Sequence, residues 1–343
     1  MGETINIIPL AGLGLTETED LLANVNIDRC YARRILYWIY KKSIAAFSEI
    51  NDIPKNVLAV LSDSFSTGLS EPVSSVVSAD GTARYLFTTG EGLLHESVYI
   101  PDGKRETVCI SVQSGCRMGC RFCATGQNGW RGNLTAGEIV NQVVSLPQKV
   151  THVVLMGMGE PGDNIDEVIK ALKVLTAEWG MAIGKSRVTV STVGITPAVK
   201  RLLEETECNL TLSLFSPFPE ERREAVPAET AWPYKETLDL MKTFRADRKR
   251  RFTVAYIMIK GENDTDKHLE ELKRILSGTG IRVNLLPYHR QGTDGDFSTD
   301  TGKIMRFKHL LVTSGIGASV RKSRGLDIEA ACGMLAAGRT KRT

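Results

Sequence analysis

The sequence predicts an α/β fold: an incomplete parallel barrel of the (βα)6 type, with an N-terminal helical accessory domain and a small β meander. Three observations carry this. From about residue 104, short apolar stretches of strand length alternate with longer stretches at helical spacing, the pattern of repeated βα units around a parallel sheet. Before that point the pattern differs, with helical periodicity to about residue 70 and then alternating residues broken by Asp-Gly and Gly-Glu-Gly turns. The repeated units number about six, below the eight of a closed barrel. A doubly wound sheet is the alternative fold.

Taken in order, residues 1–70 form the helical accessory domain. Thr16 or Thr18 is placed to cap a first helix, ARRILYWIYKK puts apolar residues at helical spacing, and Pro54 opens a third helix. Tyr37, Trp38 and Tyr40 read as core residues beside a basic face of Arg33, Arg34, Lys41 and Lys42. Residues 71–103 form the meander, which leads as a linker into the barrel at 104–325. The barrel strands are TVCISV (107–112), THVVLM (151–156), RVTVST (187–192), NLTLSL (209–214), FTVAYIMI (252–259), IRVNLLP (281–287) and ASVRKS (318–323). Helical stretches separate them, among them TAGEIVNQVVSL and DKHLEELKRILS. A C-terminal segment covers 326–343.

The chain has 343 residues, 42% apolar and 24% charged, as expected of a soluble globular protein that buries a large core. No apolar run approaches the ~18 residues of a membrane span. The N-terminus carries acidic residues and no basic stretch before an apolar one, so it does not read as a signal peptide. Free cysteines without such a signal predict a reducing, cytoplasmic location. The net charge is only +3, but basic residues cluster at 245–251, 321–324 and 338–343. Such clusters are either a nucleic-acid footprint or ordinary solvated faces.

Cys116, Cys120 and Cys123 stand in the run GCRMGCRFCATG, three of the seven cysteines spaced C-x3-C-x2-C. Thiolates are the usual ligands of iron–sulfur clusters, and three ligands on a four-iron cubane leave one iron open to a small molecule. The competing readings are a zinc site, which normally takes a second Cys or His pair not found at the right spacing, or an accident of composition. The motif follows the first barrel strand, where barrels carry their chemistry. GMGEP (157–161) follows the second strand, STVG (191–194) ends the third and SLFSP (213–217) the fourth. Glycines there let the backbone approach a ligand, and Glu160 can accept a hydrogen bond from an ammonium or ribose hydroxyl.

These motifs, together with MGMGEP, VTVSTVGI, LTLSLFSPFPEERR and VRKSRGLDIEAACGML, resemble the radical S-adenosylmethionine (SAM) superfamily. Within it the chain is similar to the RNA adenine C2-methyltransferase family RlmN and its C8-methylating relative Cfr, over roughly Cys30 to Leu335. The resemblance implies a 4Fe–4S cluster on Cys116, Cys120 and Cys123, with SAM on the open iron and two SAM molecules used per turnover. By position, Gly159, Glu160, Ser191, Ser213, Leu214, Phe215 and His289 would bind the cofactor. Cys332 would carry the methyl group as S-methylcysteine. Cys109 would remove the C2 proton and then close a transient disulfide with Cys332. Glu96 aligns with a carboxylate assigned as a proton acceptor; an exposed strand glutamate is the other reading.

The implied partners are RNA (23S rRNA, and tRNA) and an electron donor such as flavodoxin, with no membrane. Phe215 stands where the family usually has His, His289 where it has Asn, and VPAETAWPY departs from the family's run. Cys30 and Cys208 match nothing catalytic and read as buried hydrophobes. The alternatives are a C8 methyltransferase, a paralogue acting on another RNA, or a catalytically silent iron–sulfur RNA-binding factor.

Overall fold

A computed structural model describes residues 7–244, 250–289 and 298–337. Of the basic clusters, residues 245–249 and 338–343 lie outside this description. At the N-terminus β1 (Ile8–Pro9) pairs in parallel with β2 (Phe65–Ser66) and closes a unit of three helices, α1 (Leu15–Asn24), α2 (Ala32–Lys42) and α3 (Lys55–Ser64). In α2, Ala32, Ile35, Leu36, Ile39 and Tyr40 are buried, the i, i+3, i+4, i+7, i+8 stripe of an amphipathic helix.

Three expectations in this unit are corrected. Tyr37 is 45% exposed, because it falls between those stripe positions. The cap of α1 is Gly14, whose N–H donates to the Glu17 carboxylate at 2.8 Å, while Thr18 is buried inside the first turn. Cys30 is exposed, since it lies in a 3₁₀ turn ahead of the buried stripe; Cys208 is buried as expected.

The meander, β3 (Ser74–Val77), β4 (Ala83–Thr88) and β5 (Leu94–Asp102), is antiparallel and continuous with the main sheet, because β5 pairs with β6 (Arg105–Ile110). A short hairpin of β7 (Gln113–Gly115) and β8 (Trp130–Asn133) follows, with the single turn α4 (Ala124–Gln127) between its strands. The chain then alternates through α5 (Ala136–Val144), β9 (His152–Leu155), α6 (Ile165–Thr176), β10 (Val188–Thr192), α7 (Thr196–Glu205) and β11 (Asn209–Ser213). It continues with α8 (Pro219–Ala225), α9 (Tyr234–Thr243), β12 (Phe252–Met258), α10 (Asp266–Leu276), β13 (Arg282–Pro287), α11 (Thr301–Thr313) and β14 (Ala318–Val320).

All seven barrel strands read from the sequence are present. They lie in the order β6-β9-β10-β11-β12-β13-β14, every neighbouring pair parallel, with β5-β4-β3 continuing beyond β6. The edges, β14 and β3, are not joined, so the sheet is an open barrel. One face of each strand, with Val108, Ile110, Val153, Val190, Leu212, Val254 and Leu285, is buried against the helices. Burying each such side chain contributes about 1.5–3 kcal/mol, which holds the helices to the outside.

Candidate active site

The three-cysteine loop lies inside the β7–β8 hairpin, directly after β7 and therefore one short strand later than the end of the first barrel strand. The hairpin fixes where the loop starts. Gly115 has φ +78°, and a Cβ there would lie 1.9 Å from the Gly129 carbonyl, so only glycine allows the two strands to cross this closely. Cys116 N–H donates to that same carbonyl at 3.0 Å, Arg121 N–H to the Ala225 carbonyl of α8 at 3.1 Å, and Ala124 N–H to the Gly333 carbonyl at 2.8 Å. Phe122 stacks on Phe215, ring centroids 5.2 Å apart and nearly parallel. Phe215 sits at φ +65°, held in that conformation by Asn263, whose amide donates to the Phe215 carbonyl at 2.8 Å. The Phe215 ring is therefore part of the apolar wall behind the cysteine loop.

Cys116 and Cys120 are buried, Cys123 is half-buried, and all are free thiols. Burial pushes the Cys116 thiol up to about 12, and burial followed by the nearby Cys123 and Cys116 raises Cys120. Among the described residues no three His, Cys, Asp or Glu side chains converge on a single metal ion. A cubane cluster binds its thiolates on separate irons and does not require that convergence. Three free sulfurs on one short loop, close enough to feel one another's charge, fit it.

The strand ends face this loop. Gly159 has φ +95°, and a Cβ would meet Gln113 backbone and side chain at 2.6–2.8 Å, so the chain passes close to β7 there. Glu160 is buried; its carboxylate accepts from Gly162 N–H, Val193 N–H and the Thr192 hydroxyl, tying the end of β9 to that of β10. Burial raises its pKa, opposed by those three donors. The Ser191 and Ser213 hydroxyls are 3.2 Å apart, half-buried on adjacent strands. Leu214 is buried in the core, so only its backbone reaches the site, and that carbonyl accepts from Arg222 Nε at 2.9 Å. Arg222 is itself buried, paired with Glu229, and also donates to the Val193 and Ser213 carbonyls, which fixes both strand ends.

A second pair of cysteines adjoins the loop. Cys109, on β6, and Cys332, on the C-terminal segment, line one small cavity of about 80 Å³ with Cys123 of the loop, Arg321, Met156, Gly157 and Thr125. The segment is anchored at several points. The Thr125 hydroxyl donates to the Leu335 carbonyl at 2.7 Å, Arg131 to the Ala337 carbonyl at 2.8 Å, and Ala336 N–H to the Glu96 carboxylate at 2.9 Å. The Ser78 hydroxyl donates to Asp327 at the segment's start. Glu96 is buried, against the exposed alternative; it pairs with Arg84 at 3.3 Å, and burial raises its pKa. His289 lies apart from Gly159 and Glu160. Its Nε2 is 2.6 Å from the Ser323 hydroxyl, and it lines a 60 Å³ cavity with Arg321 and Cys332.

Burial pushes the Cys109 thiol up to about 12, with the nearby Cys332 adding to that effect and Arg321 opposing it. Arg321 was missed by the sequence reading, although it stands in the VRKSRG run quoted for the resemblance. The pKa of Arg321 is raised, with the nearby Cys332 sulfur the largest cause, and its guanidinium in turn opposes the rise at Cys109. The polar inner face of the barrel was missed as well. Thr107, Thr189, Asn209, Thr211, Thr253 and Asn284 line a cavity of about 460 Å³ between the strands. Their signal was the period-2 alternation of polar residues in RVTVST and NLTLSL, unusual for parallel strands buried on both faces.

An open parallel barrel with three thiols on a loop at its C-terminal mouth is the architecture of the radical SAM superfamily, whose family model matches residues 110–274. A solved radical SAM methyltransferase from Sphaerobacter thermophilus superposes with a TM-score of 0.89 at 38% identity, over 95% of this chain and 98% of that one. The probable dual-specificity RNA methyltransferase RlmN of Parabacteroides distasonis is 44% identical over 95% of this chain and 96% of its own length. The dual-specificity RNA methyltransferase RlmN of Halorhodospira halophila is 37% identical, over 96% and 93%. The chain belongs to the RlmN family, whose cofactors are a 4Fe–4S cluster and SAM.

Proposed function

We propose that this chain methylates C2 of adenosine in RNA, in 23S rRNA, tRNA or both, through a methylated Cys332. The observation that carries the reading is the shared cavity of Cys109 and Cys332, two sulfurs brought together from the first barrel strand and from the segment after the last. Cys116, Cys120 and Cys123 would hold the cluster, with the strand ends at Gly159, Glu160, Ser191 and Ser213 beside SAM. The reduced cluster and SAM together supply a hydrogen-abstracting radical. Adenine C2 is not nucleophilic, so the methyl group passes first from a SAM sulfonium to the Cys332 sulfur. The one-carbon unit then reaches the base from that sulfur.

Cys109 would take the C2 proton and, as thiolate, then attack the Cys332 sulfur. The bond from that sulfur to the one-carbon unit breaks with its electron pair on the carbon, which takes up a proton as the product methyl group and leaves Cys109 and Cys332 as a disulfide. Arg321 favours the anionic form of Cys109 against the cost of burial. The Glu96–Ala336 bond and its neighbours hold the segment so that Cys332 faces the cavity. Glu96 thus serves this chemistry as an anchor. A low-potential donor such as flavodoxin would reduce the cluster. Among the described residues no helix is long and apolar enough to cross a membrane, and a cytoplasmic location would give access to both RNAs.

The test is mass spectrometry of nucleosides from RNA incubated with anaerobically reconstituted protein, reductant and SAM, and from cells with and without it. C2-methyladenosine supports the reading. C8-methyladenosine, or no methylated adenosine, overturns it.

A further inference from the structure

The inner face of β6 carries Arg105, Thr107 and Cys109 at alternate positions, so the catalytic-sulfur row continues down to the N-terminal mouth of the barrel. At that mouth Arg105, Arg251 and Arg282, from the starts of three strands, line the 460 Å³ cavity together with Lys322 and Arg324. Arg324 is paired with Asp80 and Asp102. Among the described residues no carboxylate forms a salt bridge with Arg105, Arg251 or Arg282; Asp102, which also lines the cavity and bonds Arg324, is the one carboxylate there and acts on Arg105 from the facing position of β5. Arg251 and Arg321 lie close enough to lower the Arg105 pKa, after burial itself. Concentrating guanidiniums in a concave site is costly unless an anion enters it.

The cavity also leads to the chemistry. Ile100 and Arg321 border it and both small cavities that contain Cys332. From Arg105 to Cys109 is four residues of extended strand, about 13 Å, the reach of an unstacked nucleotide with its base pointing up the barrel. The cysteine-loop mouth opposite is occupied by α8 and the C-terminal segment, both hydrogen-bonded to the loop.

We propose that Arg105, Arg251 and Arg282 hold successive backbone phosphates of the substrate RNA, so that the target adenosine enters through the N-terminal mouth of the barrel. The spread of the three guanidiniums over three strands suits a polynucleotide better than a single phosphate. The proposal rests on the RNA-methylating reading above and adds to it where the RNA enters.

The test compares wild-type holoenzyme with the Arg105→Gln/Arg251→Gln/Arg282→Gln variant, using an RNA hairpin that wild type methylates. Each phosphate contact to single-stranded RNA contributes about 0.7 to the slope of log affinity against log salt, so the triple variant should lose about 2 from that slope. KM for the hairpin should rise at least tenfold while kcat at saturating RNA changes little. Iron content and thermal unfolding report on folding. The Arg→Lys triple variant should keep the wild-type slope, and Arg306→Gln, on the outer helices beside Asp266, should leave it unchanged. An unchanged slope and KM in the Gln variant, with wild type active, would overturn the entry site and leave the methyltransferase reading intact. Displacement of RNA by inorganic phosphate as effective as by an unmodified oligonucleotide, per phosphate, would also overturn it. If wild type binds the hairpin with the arginine-dependent slope but methylates no RNA, it is the activity that fails.

Discussion

Two groups of sulfurs are built differently. Cys116, Cys120 and Cys123 come from one short loop, shaped by a hairpin and a tight glycine crossing and backed by the Phe215 ring and by the Ala225 and Gly333 carbonyls. Cys109 and Cys332 come from a strand and from a segment more than two hundred residues later, and meet only because that segment is pinned to β5, α4 and β8. A local site tolerates distant changes. A site assembled from distant parts inherits the stability of each tether.

Substitutions should separate the two groups. Cys116→Ala should abolish iron binding, SAM cleavage and methylation together. Cys332→Ala should abolish methylation while iron content and reductive SAM cleavage persist, read by iron analysis and release of 5′-deoxyadenosine. Methylated RNA from the Cys332→Ala protein would end the distinction. Cys109→Ala should leave product attached, seen as an RNA–protein adduct on denaturing gels; free product at the wild-type rate would remove Cys109 from the chemistry.

The next effects concern the tethers. His95, beside Glu96 on β5, is buried against Phe87 with no side-chain hydrogen bond to either ring nitrogen among the described residues, and burial pulls its pKa down to about 4. Its folded pKa lies below the unfolded value near 6.5, so the unfolded chain binds more protons between these two values. Stability is therefore lost as pH falls from about 6.5 to about 4, by about 3 kcal/mol. His95→Leu should flatten that part of the pH dependence of the urea midpoint; an unchanged slope would place the sensitivity elsewhere.

Glu96→Ala strands Ala336 N–H and Arg84 at a cost of about 1–3 kcal/mol. Alkylation of Cys332 should quicken about tenfold with iron content unchanged, and an equal quickening at Cys123 would show that the two groups are not independent. Phe215→Leu removes the stack on Phe122, worth about 1 kcal/mol beyond the area buried, and should speed iron loss without changing Cys332 alkylation.

Much of this architecture was legible in the chain. The strand and helix periods located all seven parallel strands, because apolar alternation records burial directly. The cysteine spacing marked the loop for the same reason: its ligands are neighbours in sequence. Tyr37 and Cys30 were misjudged because residue type alone does not say which side of a helix faces out. Glu96 was ambiguous because its burial depends on the Arg84 pairing across β4 and on the Ala336 tether, neither of which is local.

By itself the sequence determined the order of βα units and the grouping of three cysteines on one loop, since both depend on residues close together along the chain. Only the tertiary structure decided that the polar positions of the strands face a common cavity. It also decided that Arg321 lines one cavity with the two distant sulfurs, and that Arg105, Arg251 and Arg282 gather at the opposite mouth. Those relations depend on how far the open sheet curls and where the last segment docks, and packing between remote residues sets both.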